Sequence, residues 1–171
     1  MNEFEINEAK GRNMLKAVID AQEIQPYSQY DTEYMEHIDY VTNYLVGNSF
    51  YSKAFEVKVR NKRYDEMQME VMKWNEMKRI KEVDNFDTIY YVNFILQTDS
   101  TDVYDAYFWS DKTIAKYSKN VIVKQCPWHT VGDDNDKIDK KVFNLPIIDA
   151  DKTAVVTYKH GSYVAKQIKN R

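Results

Sequence analysis

The chain has 171 residues, of which 43% are hydrophobic and 30% charged, and its mean hydropathy is −0.69. That suits one soluble domain, residues 1–171, able to bury roughly 70% of its unfolded surface, with no apolar run near the ~18–20 residues of a bilayer span. A net charge of −3 and a pI of about 5.7 count against a nucleic-acid coat protein, whose affinity comes from neutralising phosphates.

The single cysteine, Cys126, excludes an intramolecular disulfide, and the three histidines form no zinc-ligand cluster. The opening MNEFEINEAKGRNMLK lacks the apolar stretch of a secretory signal, so a reducing, cytoplasmic setting is expected.

From Asn7 to Ala21 the spacing of Gly11, Met14, Leu15, Val18 and Ile19 predicts a helix, which Gln25-Pro26-Tyr27-Ser28 breaks. Segments 36–45 and 50–59 are rich in β-branched and aromatic residues. They flank Val46–Ser49, which contains Gly47-Asn48, and so predict a hairpin. Tyr64 to Glu82 carries apolar stripes (Met67, Val71, Trp74; Met69, Met77, Ile80) that predict a long helix. TIYYVNFIL (88–96) is apolar enough to be a strand buried on both faces. DAYFWS (105–110) predicts another strand and Thr113–Lys119 a short helix. Weaker strands are expected at 121–126, 141–147 and 154–159, with a polar surface loop over Asp133–Asp139. The expected architecture is α/β, in the order helix, strand, strand, helix, strand, strand, then a β-rich tail.

An acid-x-Lys triplet occurs four times, at Glu8, Glu56, Glu76 and Asp139, and of these only Glu56-Val57-Lys58 falls inside a clear predicted strand. Alternation directs Phe55, Val57 and Val59 to the core, and Ala54, Glu56, Lys58 and Arg60 to the opposite side. Glu56 and Lys58 then stand about 7 Å apart along the strand, able to address one phosphate. Asp39, in the preceding strand, can approach Glu56 if the two strands pair. A divalent cation relieves the repulsion of two close carboxylates, and an oxygen-only donor set favours Mg2+ or Mn2+. Such a cation could bind a phosphate oxygen and acidify a water that Lys58 orients, which is metal-assisted phosphodiester hydrolysis.

Asp39, a hairpin, Glu56-Val57-Lys58 and a following helix together resemble the PD-(D/E)XK nuclease superfamily, whose fold is restriction-endonuclease-like. More narrowly, FEVKVRN (55–61), a helix with an internal Lys73, YYVNF (90–94) and CPWHTV…KKVFNLP (126–146) resemble nuclease-like proteins of phages and bacteria. The resemblance implies an αββαβ core with a mixed sheet flanked by helices and extra C-terminal strands. It also implies a Mg2+-dependent nuclease acting on DNA, with Asp39 and Glu56 as metal ligands, the backbone carbonyl of Val57 as a third and Lys58 as the catalytic lysine. Ile38 stands where the superfamily pattern has proline. Many members add a first-helix carboxylate, for which Glu8 is the candidate and Glu23 the alternative.

Arg60, Lys62, Arg63 and Lys73 are the candidates for gripping a nucleic-acid backbone, against the plain alternative of a solvated charged face. His37 shares the Asp39 side, and Cys126 and His129 read as structural. The competing function is a binding or interaction protein on the same fold, catalytically inactive. Its tyrosine-rich strands would suit a protein partner or a homodimer.

Overall fold

The computed structural model describes residues 3–32, 37–127 and 137–170. Helix α1 (Glu3–Asp20) leads into strands β1 (Ser28–Asp31), β2 (Tyr40–Val46), β3 (Ser49–Arg60) and β4 (Glu66–Glu70). Helix α2 (Val71–Val83), strands β5 (Thr88–Leu96) and β6 (Val103–Ser110) and helix α3 (Asp111–Tyr117) follow. The chain closes with β7 (Ile122–Pro127), β8 (Lys137–Pro146), β9 (Lys152–Lys159) and β10 (Ser162–Asn170).

Seven strands make one mixed sheet in the order β1-β2-β3-β5-β6-β9-β10, and β4-β8-β7 make a smaller one. The fold is therefore α/β, with β3 and β5 parallel and the other pairings of the large sheet antiparallel.

The β2–β3 hairpin forms as expected. Val46 pairs with Ser49 across the two-residue turn Gly47-Asn48, and Gly47 takes φ 61°, where glycine meets no Cβ penalty. β5 runs over 88–96 as expected and is buried along most of its length, because β3 and β6 flank it and both faces of the sheet are covered. On one face α1 lays Met14, Leu15, Val18 and Ile19 against Phe55, Val57, Val92, Phe94 and Phe108. On the other, α2, α3 and the small sheet pack Trp74, Met77, Ile80, Phe143 and Leu145 against Ala54, Ile89, Tyr91 and Trp109. A Cβ on Gly11 would lie 2.9 Å from Val57 Cγ1, so the missing side chain lets α1 approach β3 closely.

Four expectations need correction. The helix expected from Tyr64 begins at Val71, because residues 66–70 form β4, whose buried Met67 and Met69 pair with Leu145 and Phe143 of β8. The sequence EMQME satisfies period two as well as helical spacing, and the partner strand decides between them. Asp139-Lys140-Lys141 lies inside β8, so Glu56-Val57-Lys58 is not the sole acid-x-Lys triplet on a strand. Residues 137–139 of the expected polar loop are likewise strand, while 133–136 lie outside the described residues. The tail is not one unit: β7 and β8 join β4, whereas β9 extends the main sheet beside β6.

β1 and β10 were not expected. β10 carries a bulge, with Lys166 opposite Val155 and Lys169 opposite Thr153, and Gln167 within it has φ 53°.

Candidate functional site

Asp39 sits one residue before β2, where the strand pairing gives way to side-chain bonding. Its amide donates to the Phe55 carbonyl (2.8 Å), its carbonyl accepts from the Thr32 amide (3.3 Å), and its Oδ2 accepts from the Val57 amide (2.6 Å). The Thr32 hydroxyl donates to the Ile38 carbonyl next door. These bonds fix the carboxylate at the edge of β3 through the N–H of Val57. Burial and the negative charge of Glu56 push its pKa up to about 6, against the lowering pull of the Val57 amide and Lys58, and Glu8 adds a further push upward.

Glu56 was expected on a side turned away from the core. That side is instead covered by α2 and the small sheet, and Glu56 is 2% exposed. Its Oε1 accepts from Lys58 Nζ at 3.0 Å and from Lys73 Nζ on α2. Burial alone would raise the Glu56 pKa, but the two ammoniums outweigh it and the net direction is down. For Lys58 burial pulls the pKa down, and Glu56 foremost, with Tyr91 and Asp39, reverses it to a net rise, so Lys58 stays an ammonium across the neutral range.

β3 thus brings Glu56, Lys58 and the amide of Val57 together with Asp39, and Lys73 joins them from the first turn of α2. Glu8 is close enough to act on Asp39 electrostatically, and it also forms a 4.0 Å ion pair with Arg12. Glu23 lines a different cavity, beyond the end of α1. His37, with φ 70°, lies just ahead of Ile38, and its charge acts on Glu76.

The pair Lys58 and Lys73 opens onto a cleft of about 1150 Å3 between the two sheets, lined also by Arg60, Arg63, Tyr91, Lys124 and Lys140. Arg60 Nε donates to Asn93 Oδ1 at 3.3 Å, and Arg63 is held 3.6 Å from Asp105. Lys140 is paired with Glu70 at 2.9 Å. Lys62 is exposed and does not line the cleft. Cys126 is part of the cleft wall, and His129 lies outside the described residues.

Sequence reasoning missed Asn93, Tyr91, Lys124 and Lys140. Asn93 had a signal: it is the one strongly polar residue in TIYYVNFIL, and it pairs in register with Lys58. It is fully buried, and its Nδ2 has no hydrogen-bond partner among the described residues. The two lysines carried no local signal, since only the β4-β8-β7 sheet brings them opposite β3.

The donor chemistry can be tested against a divalent cation. Asp39 and Glu56 are near enough to repel, and both offer only oxygen. Among the described residues no group of three or more His, Cys, Asp or Glu side chains is placed to hold a metal ion. Two carboxylates are the kind of oxygen donor that Mg2+ accepts, and here one oxygen of Glu56 is already taken by Lys58 and Lys73.

No protein-family model, no curated protein and no solved structure shows a significant match to the chain. Among the described residues no helix is long and apolar enough to cross a membrane.

Proposed function

We propose that the protein is a metal-dependent nuclease of restriction-endonuclease-like architecture, hydrolysing phosphodiester bonds, with DNA as the expected substrate. The observation that carries this reading is the meeting of Asp39, Glu56 and Lys58, of which Lys58 reaches the wall of a cleft lined by six lysines and arginines and by Asp65, Glu66 and Glu70. The cleft adjoins the carboxyl-terminal part of β3, beside its parallel neighbour β5, where open α/β sheets generally bind ligands.

In this mechanism Asp39 and Glu56 would hold a divalent cation, which would supply Lewis acidity at the scissile phosphate. Lys58, kept charged by Glu56, stabilises the negative charge that grows on the phosphate as the bond breaks; it does not remove a proton. Asp39, its pKa pushed up to about 6, would have to ionise before it could hold a cation. Arg60, oriented by Asn93, meets the phosphate backbone from the same strand.

The test incubates purified protein with plasmid, single-stranded, flap and four-way-junction DNA in Mg2+, Mn2+ or EDTA. Cleavage is expected on at least one substrate, abolished by EDTA and reduced at least 100-fold by Asp39→Ala and by Lys58→Ala. Inactivity on all substrates, or activity that survives both substitutions, would overturn it.

One observation favours a second reading, a catalytically inactive binding module: the same Glu56 oxygen already serves two lysines. Calorimetry with Mn2+ separates the two. A nuclease shows a divalent site that Glu56→Ala removes, and a binding module shows none.

A further inference from the structure

The sheet face that carries α1 has a second cavity, beyond the end of the helix and on the other side of β3 from Glu56. It measures about 610 Å3, inside the range of small-ligand pockets, and Lys53 of β3 and Lys152 of β9 both line it. Both side chains are half-buried. Lys53 Nζ lies 4.4 Å from the centre of the Tyr44 ring and Lys152 Nζ 6.0 Å from that of Phe108.

Neither ammonium has an ion-pair partner among the described residues. Burial lowers the pKa of both, and the charge of Lys53 lowers that of Lys152 further, so the two ammoniums face each other's field. Of the acids at the rim, Asp87 is engaged by the Ser52 amide at 2.7 Å, and Glu23 is exposed.

Two half-buried like charges on one cavity wall are costly unless an anion joins them. The rest of the lining is mixed: Gln22, Thr88 and Asn170 are polar, and Ile24 (59% exposed), Val46 (49%) and Tyr51 (44%) offer open apolar surface. A phosphate monoester carries close to two negative charges, matching the two lysines, and a flat ring attached to it would lie on that wall.

We infer that this cavity binds a small organic phosphate with a planar body, of the size and chemistry of a nucleoside monophosphate, through Lys53 and Lys152. The site lies apart from the acid–lysine cluster and does not depend on the nuclease reading.

Calorimetry on the full chain with adenosine 5′-monophosphate, phenyl phosphate, inorganic phosphate and adenosine tests it. Both monoesters should bind more tightly than inorganic phosphate, and adenosine should bind at least tenfold more weakly than its monophosphate. Lys53→Met and Lys152→Met should each weaken monophosphate binding at least tenfold, while Lys58→Met, in the other cleft, leaves it unchanged. Thermal melts guard against misfolding: without ligand both methionine variants should melt at or above the wild-type temperature, because a repulsion is removed. No monoester binding at millimolar concentration would overturn the inference. So would binding lost in Lys58→Met but kept in the other two, or a clear fall in melting temperature, which would mean that the lysines have counter-charges within the fold.

Discussion

Glu56 is an acid that burial by itself would neutralise, and two ammoniums keep it charged. Removing it leaves Lys58 and Lys73 facing each other with only partial access to water. Glu56→Ala should therefore lose about 2–3 kcal/mol in urea denaturation, below the ~3–5 kcal/mol of a fully buried broken pair because both lysines can reach solvent. Asp39 has the opposite sign. Its folded pKa of about 6 lies above the ordinary carboxylate value, so its contribution to stability is fully present below about pH 4 and lost as pH rises through 6. Asp39→Asn should then be more stable than wild type at pH 7 by about 1–2 kcal/mol, the gap closing as pH falls towards 4, even as any cleavage is lost. Paired urea titrations at pH 4, 5, 6 and 7 read both variants. The triplet Glu56-Val57-Lys58 was legible in the sequence, but its burial was not. Alternation gives the face a residue occupies, and what covers that face is decided by β4 and β8, which arrive from far along the chain.

Elements with a single consistent signal were legible. The α1 stripe, the Gly47-Asn48 turn and the apolar run of β5 each admit one structure, and each forms close to where the pattern puts it. β4 was illegible because Met67 and Met69 fit two periods, and β1 because Ser28, Gln29 and Asp31 around a single Tyr30 are too short and polar to signal a strand; its partner β2 supplies the order. Gly11 read as one more small residue in a stripe, yet it sets the spacing of α1 on the sheet. Gly11→Ala would push a methyl to within 2.9 Å of Val57 and 3.3 Å of Val59. The expected cost is about 1–3 kcal/mol, measurable by thermal or urea unfolding, with helix content preserved.

At the scale of the whole molecule, an acidic chain concentrates lysine and arginine along one cleft. The small sheet supplies its second wall, so Lys124 and Lys140 should contribute to nucleic-acid affinity without touching the acid–lysine cluster. Lys124→Glu with Lys140→Glu should weaken DNA binding at least tenfold at 50 mM salt and flatten the dependence of affinity on salt, read by fluorescence anisotropy across a salt series. Unchanged affinity would place the nucleic acid elsewhere.

The bulge at Gln167 bears on how molecules of this protein meet one another. A neighbour trying to extend the sheet at β10 would find a row of amides interrupted at the bulge and flanked by the exposed ammoniums of Lys166 and Lys169. At the opposite border, β1 offers four residues. Each border therefore offers a foreign strand only a short or interrupted ladder to pair with.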